Sequence, residues 1–167
     1  MSETKKNYIL DADKALMKLK RMAYEILENN SVDDSLIIAG ISGNGTIIAD
    51  IIVSLIREIS DIIPEQMTIE LDKQHPTAVN MYPEMNIDGK VVIIVDDVTN
   101  SGKTITYGLK PLLDHHPKKI QTLVLVERSH TKFPVHANYV GHSLSTFLHE
   151  HIIVEVEGKQ VKGAYVA

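Results

Sequence analysis

The sequence predicts an α/β protein, a mostly parallel sheet flanked by helices, built as one domain over residues 1–167. Three observations carry this. Strand, loop and helix patterns alternate from about residue 11 to residue 126, the order that builds parallel sheets covered on both faces. Val91-Val92-Ile93-Ile94-Val95 is a run of five β-branched residues with no polar alternation, as in a strand buried on both sides. The length of 167 residues and the 44% hydrophobic content suit a single core.

The elements follow in order. Residues 1–7 are polar and read as a frayed start. Ala12, Ala15, Leu16, Leu19, Met22, Ala23, Ile26 and Leu27 then fall at helical spacing. Asp11 suits the N-cap, and Asn29-Asn30 the stop. Ser35 to Ala39 is a short buried strand. The glycine-rich turn Gly40-Ile41-Ser42-Gly43-Asn44-Gly45 follows, then a helix over 47–59 and a strand over Met67 to Leu71. Residues 73–88 hold two prolines and little periodicity, which predicts a long loop with room for a hairpin. Loops of that length in compact domains are usually functional or mobile. The strand from Lys90 to Val95 ends at Asp96-Asp97. A helix then runs to about His115, a buried strand spans Ile120 to Val126, and short strands lie near 138–140, 151–156 and 163–166.

Composition excludes several function classes. There is no cysteine, so neither a disulfide framework nor a thiolate metal site can form. That fits a reducing cytoplasm, the expected location. No apolar run suits a signal peptide or a membrane span. The net charge of -5 provides no general basic field for nucleic acid. Lys14, Lys18, Lys20 and Arg21 cluster on the first helix, where a solvated face is the simpler reading. His149-Glu150-His151 is the densest histidine set; on a strand its two histidines would share a face, but no third ligand is evident, so no metal site is assigned. Tyr82, Phe133 and Phe147 read as packing residues.

In open α/β sheets ligands bind at the carboxyl ends of the strands. The loop after Val95 is the more informative. Asp96 and Asp97 are adjacent acceptor-only carboxylates, suited to the donor hydroxyls of a vicinal diol. Asn100, Ser101, Gly102, Lys103 and Thr104 combine small side chains, hydroxyls and backbone N–H groups at a helix start, which suits a phosphate. A diol site beside a phosphate site matches ribose 5-phosphate. Two look-alikes fail. The nucleotide loop Gly-x-x-x-x-Gly-Lys-Ser/Thr requires glycine at 97, where this chain has Asp97. Gly40, Gly43 and Gly45 are spaced in the wrong order for a dinucleotide fingerprint.

The segment Val91 to Thr104 resembles the phosphoribosylpyrophosphate signature of the type I phosphoribosyltransferases. Ile9-Leu10-Asp11 with its helix, Leu125 to His130, Pro134 and Asn138-Tyr139-Val140-Gly141 are similar to one subfamily, the attenuation regulators of pyrimidine operons, which are also uracil phosphoribosyltransferases. The resemblance implies a core over about 8–126 and hood elements over about 127–167. It implies that Asp96 and Asp97 hold the ribose hydroxyls of 5-phosphoribosyl-1-pyrophosphate, and that Asn100 to Thr104 bind its 5-phosphate. Ile41, Ser42, Gly43, Asn44 and Lys73 would face the pyrophosphate, with 73–88 as a flexible lid. Val126, Glu127, Arg128 and His130, in a hood over 127–150, would meet the nucleobase. Magnesium would be chelated mainly by substrate oxygens and water. A homo-oligomer and RNA are further partners it implies, although the net charge gives RNA no support.

The chain departs from the family at named positions. The subfamily has a lysine and an arginine in the turn where this chain has Ser42 and Asn44, which removes charge-assisted bonds of about 1.5–3 kcal/mol each. Asn100 stands where purine-salvage members carry an aspartate proposed as general base. Lys73 replaces a lid arginine, keeping charge without the bidentate fork. Glu127 replaces a purine-salvage lysine, which favours a pyrimidine.

Overall fold

The protein is described by a computed structural model covering residues 5–32 and 34–167; the first four residues of the expected polar start lie outside the described residues. From residue 7 the expectation of a frayed start fails. Asn7–Asp11 forms β1, pairing antiparallel with the last strand of the chain. Only Leu10 of β1 is fully buried, so nothing in its local pattern announces a strand.

Asp11 caps α1 (Ala12–Asn29), its carboxylate accepting from the Lys14 amide at 2.8 Å. The buried stripe is Ala15, Leu19, Met22, Ala23 and Ile26; Leu16 stays exposed. Then come β2 (Leu36–Ile41), α2 (Asn44–Ile59), β3 (Glu65–Leu71) and β4 (Val79–Tyr82). β5 (Val91–Thr99) leads to two short helices, α3 (Lys103–Gly108) and α4 (Lys110–Leu113). β6 (Lys119–Arg128), β7 (Tyr139–Leu144), β8 (Ile152–Glu157) and β9 (Gln160–Val166) complete the chain.

The main sheet has the order β4-β3-β2-β5-β6-β7, parallel except at the β4 edge. β3 and β4 form the hairpin that the prolines of 73–88 left room for: Val79–Tyr82 is a short edge strand and the rest of the segment is connection. β2 and β5 lie side by side at its centre, and both run further than their apolar residues suggested. β5 continues through the acids, with Asp96 in register with Val124 and Thr99 with Glu127. The helix expected up to His115 is broken at Leu109, before Pro111, because proline disrupts the hydrogen-bonding of the preceding turn.

Alternate side chains of the central strands feed two cores. Leu36, Ile38, Val91, Ile93 and Val95 face α1 and α2. Ile37, Ala39, Ile41, Val92 and Ile94 pack with Leu112 and Ile87 on the other side.

A second sheet, β1-β9-β8, joins the two ends of the chain. It shares the first core: Leu10, Ile152, Val154, Val161 and Ala164 pack into the same cluster as α1 and α2. This revises the hood boundary. β7 belongs to the main sheet and β1 to the small one, so a division at residue 126 follows neither sheet. Among the described residues no helix is long and apolar enough to cross a membrane.

Candidate functional site

β5 delivers its acids into the floor of a cavity of about 260 Å³ at the carboxyl end of the main sheet. Lys73, Asp96, Asp97, Asn100, Ser101, Gly102, Lys103 and Thr104 all line it, although Lys73 comes from a different loop. Val98, Thr99, Ile105 and Ile152 also line it and were not expected. Ile152 could not have been found by pattern, because it enters from β8 only through the packing of the small sheet.

The two carboxylates are unequal. Asp96 is 1% exposed, while Asp97 is half-buried. Burial, and then repulsion from Asp97, push the Asp96 carboxyl up to about 7; Lys73 opposes the shift. The Lys73 ammonium lies 3.2 Å from Asp96 Oδ1 and 3.8 Å from Asp97 Oδ1. Lys73 was expected at the pyrophosphate; here it neutralises the acids instead. Backbone amides complete the support: the Asp97 N–H donates to Asp96 Oδ1 at 2.9 Å and the Val98 N–H to Asp97 Oδ1 at 2.8 Å.

The loop after the acids turns at Gly102, whose φ of 84° lies in the left-handed region that glycine tolerates best. The Ser101 carbonyl accepts from the Lys132 and Phe133 amides at 2.8 and 3.0 Å, which pins the loop to the segment after β6. The Thr106 hydroxyl donates to the Gly102 carbonyl at 2.7 Å. The first-turn N–H groups of α3 have no intrahelical carbonyl to meet and can receive an anion. Since α3 has only six residues, these local N–H groups matter more than a long helix dipole.

The turn after β2 is a second, neutral site edge, and here the structure corrects the sequence reading. Ile41 is the last residue of β2 and its side chain is fully buried in the second core, so it cannot present a side chain to a ligand. The Ser42 amide is already committed to the Ile69 carbonyl at 2.9 Å. Asn44 Nδ2 is committed twice, to Asp97 Oδ2 at 3.1 Å and to the Val154 carbonyl at 3.0 Å. What remains among the described residues is the Ser42 hydroxyl and the N–H groups of Gly43, Asn44 and Gly45; the Thr46 N–H already donates to the Gly43 carbonyl at 3.2 Å. Gly45 is what brings the two edges together: a Cβ there would stand 2.7 Å from the Val95 carbonyl oxygen.

The four residues expected at the base do not line the cavity. Val126 is buried in the first core. Glu127 accepts from the Ser143 hydroxyl at 3.2 Å. His130 is exposed. Arg128 is buried, but it donates Nη1 to Asn100 Oδ1 at 3.2 Å and so reaches the cavity through that residue. Phe147 is exposed and stacks on His149 with ring centroids 5.8 Å apart, and Tyr82, on the β4 edge, is also exposed, so neither packs in the core as expected. Phe133 meets Tyr107 edge-on. His149, Glu150 and His151 lie before β8 rather than on a strand.

This arrangement can accept hydroxyl donors at a partly charged acidic pair, an anion at the Ser101–Thr104 turn, and a cation where Lys73 now sits. Comparison with known proteins identifies the family. Residues 6–159 match the phosphoribosyl transferase domain family. The chain is 31% identical to the bifunctional protein PyrR of Haemophilus ducreyi over 89% of each chain. It is 33% identical to that of Fusobacterium nucleatum over 95% of this chain and 97% of the relative. Its fold is that of a hypoxanthine phosphoribosyltransferase of Trypanosoma cruzi (TM-score 0.77, 14% identity, 96% and 95% of the two chains). A hypoxanthine-guanine phosphoribosyltransferase of Bacillus anthracis is similar too (TM-score 0.75, 19% identity, 97% and 98%). The chain therefore belongs to the phosphoribosyltransferase family, in the branch of the bifunctional PyrR proteins.

Proposed function

We infer that the protein transfers ribose 5-phosphate from 5-phosphoribosyl-1-pyrophosphate to uracil and releases pyrophosphate. One observation carries this reading: an acidic pair and an anion-binding turn lie a few residues apart in one cavity, the spacing of a diol and a phosphate on one sugar. In this reading Asp97 and the buried Asp96 accept the ribose hydroxyls, and the Ser101–Thr104 turn holds the 5-phosphate. Lys73 leaves the acids for the pyrophosphate as the lid closes. The Ser42 hydroxyl and the first N–H groups of α2 meet the same group. Bond breaking at the anomeric carbon leaves a cationic sugar, which the carboxylates stabilise while the turn holds it in line with the base.

Magnesium fits as a substrate-borne ion. Asp96 and Asp97 offer at most a small part of an octahedral shell, so pyrophosphate oxygens and water would supply the remainder and screen the charge of the leaving group. Uracil is favoured by the resemblance to the PyrR relatives.

A second reading, a nucleotide-sensing regulator that binds RNA, has the PyrR relatives in its favour. The basic cluster on α1 supports it weakly. Arg21 is spent on the Val140 and Gly141 carbonyls at 2.9 Å and on Glu25, leaving Lys14, Lys18 and Lys20 as the cations of the cluster with no ion-pair partner among the described residues. A cytoplasmic homo-oligomer is the setting proposed for either reading.

The test is pyrophosphate release from the magnesium complex of 5-phosphoribosyl-1-pyrophosphate, with uracil, adenine, guanine, hypoxanthine and orotate assayed separately. Release with uracil alone is expected. Silence with all five, together with measurable substrate binding, moves the reading to the regulator.

A further inference from the structure

Lys73 stands over the acids from a loop that is braced on both sides of it. Residues 72–78 link β3 to β4, and the loop is closed at its base where Leu71 pairs with Val79. The Asp72 carboxylate accepts from the Gln74 amide at 2.9 Å, a local turn that bends the chain around Lys73. Further on, the Lys110 ammonium donates to the Thr77 carbonyl at 3.0 Å. The Lys73 side chain is 45% exposed, yet its ammonium meets three carboxylate oxygens. Asp96 Oδ1 and Oδ2 lie at 3.2 and 3.4 Å, and Asp97 Oδ1 at 3.8 Å.

Most of the remaining capacity of the acids is used by their own surroundings. Asp96 Oδ1 also accepts from the Asp97 amide, Asp97 Oδ1 from the Val98 amide, and Asp97 Oδ2 from Asn44 Nδ2. Among the described residues, Asp96 Oδ2 accepts from Lys73 alone. The ammonium therefore covers the side of the pair that the rest of the protein leaves open. An ammonium has donors and no acceptor, and a sugar hydroxyl meets a carboxylate as a donor, so the two compete for the same lone pairs. An ion pair whose cation is nearly half in water is weak enough to open. The flexible four-carbon stem lets the ammonium leave while the braced loop stays in place.

We propose that Lys73 is an autoinhibitory latch on the acidic pair: in the ligand-free protein it takes the place of a donor ligand, and a diol must displace it to bind. The inference rests on the ribose-phosphate reading above and concerns regulation of that same site. A ribose phosphate with no anion beside its diol displaces the ammonium and gives it no new partner. A substrate that also carries a pyrophosphate supplies that partner. The latch thus disfavours ribose phosphates that lack the pyrophosphate, the nucleotide product among them, and it closes again as the product leaves.

The experiment measures ligand affinity by calorimetry on the full chain, comparing wild type with Lys73→Met and Lys73→Ala. Lys73 belongs to neither core, so both variants keep the fold. The first probe is ribose 5-phosphate without magnesium. Removing a cation from a site ordinarily weakens an anion; the latch requires the reverse. Both variants should bind ribose 5-phosphate about 2–5-fold more tightly than the wild type, the scale of one partly exposed ion pair. The second probe is the magnesium complex of 5-phosphoribosyl-1-pyrophosphate without a base, which both variants should bind more weakly than the wild type. Ribose 5-phosphate binding equally or more weakly to both variants overturns the latch and leaves the ribose-phosphate reading standing. Tighter binding of the second probe by the variants overturns release by pyrophosphate. Failure of all three proteins to bind ribose 5-phosphate removes the parent reading and this one with it.

Discussion

The two turns at the centre of the sheet, after β2 and after β5, lie against one another and have opposite character. The β5 edge concentrates charge: two carboxylates, one of them buried, and the Lys73 ammonium across them. The β2 edge is neutral, and its one long polar side chain, Asn44, is turned toward Asp97 and the Val154 carbonyl. A buried carboxylate is costly in a fold unless something binds it. The neutral turn shows no such cost: Asn44 has exchanged ligand-directed charge for a bond that ties the acids to the small sheet. The acidic β5 edge is therefore poised for a ligand, while the turn beside it is built mainly to hold the acids in place.

Removing the charge from the β5 edge has the largest expected effect. Asp96→Asn with Asp97→Asn lowers pyrophosphate release by about a thousandfold or more, the scale of losing preorganised electrostatic contacts. Full activity in that variant sinks the assignment of the acids.

Next in size is the cost that Asp96 imposes on the fold. Between the ordinary carboxylate range and about 7, the folded protein keeps a proton on Asp96 that the unfolded chain has released. Stability therefore falls as pH rises through that window and levels off above it. Asp96→Asn preserves an acceptor for the Asp97 amide and removes the buried charge. Thermal unfolding of the ligand-free protein should show the variant melting higher at pH 8, by roughly 3 °C or more, with the gain shrinking toward pH 5. A variant that melts lower at pH 8 contradicts a buried, destabilising carboxylate.

The smallest effect comes from charging the neutral turn. Ser42→Lys should tighten pyrophosphate binding by about tenfold, one charge-assisted bond. Asn44→Arg should gain less, since it gives up the bonds to Asp97 and Val154. Titration with pyrophosphate measures both; a larger gain from Asn44→Arg means that the Asn44 bridge is dispensable.

Much of this was legible before folding. The β-branched run of β5, the capped stripe of α1 and the small-residue turn at Gly102 are local signals. Each reflects a backbone preference or a periodicity within a few residues. That the residues of the β5 loop would line one cavity was readable for the same reason, since they are contiguous. The assignments that moved were non-local. Ile41 looked like part of a glycine turn, but the sheet continues through it. Arg128 looked like a base contact, but it clamps Asn100 from behind. β1 has one buried residue, and its partner β9 lies at the far end of the chain.

The sequence alone thus determined the parallel α/β core, the acidic pair and the small-residue turn that follows it, because strand burial, capping and loop chemistry are written in neighbouring residues. Only the tertiary structure decided which acid is buried, where Lys73 points, that Asn44 and Arg128 are spent on holding the site, and that both chain ends close one small sheet. Those outcomes depend on which segments, distant in sequence, come within hydrogen-bonding distance, and on how much water remains between them.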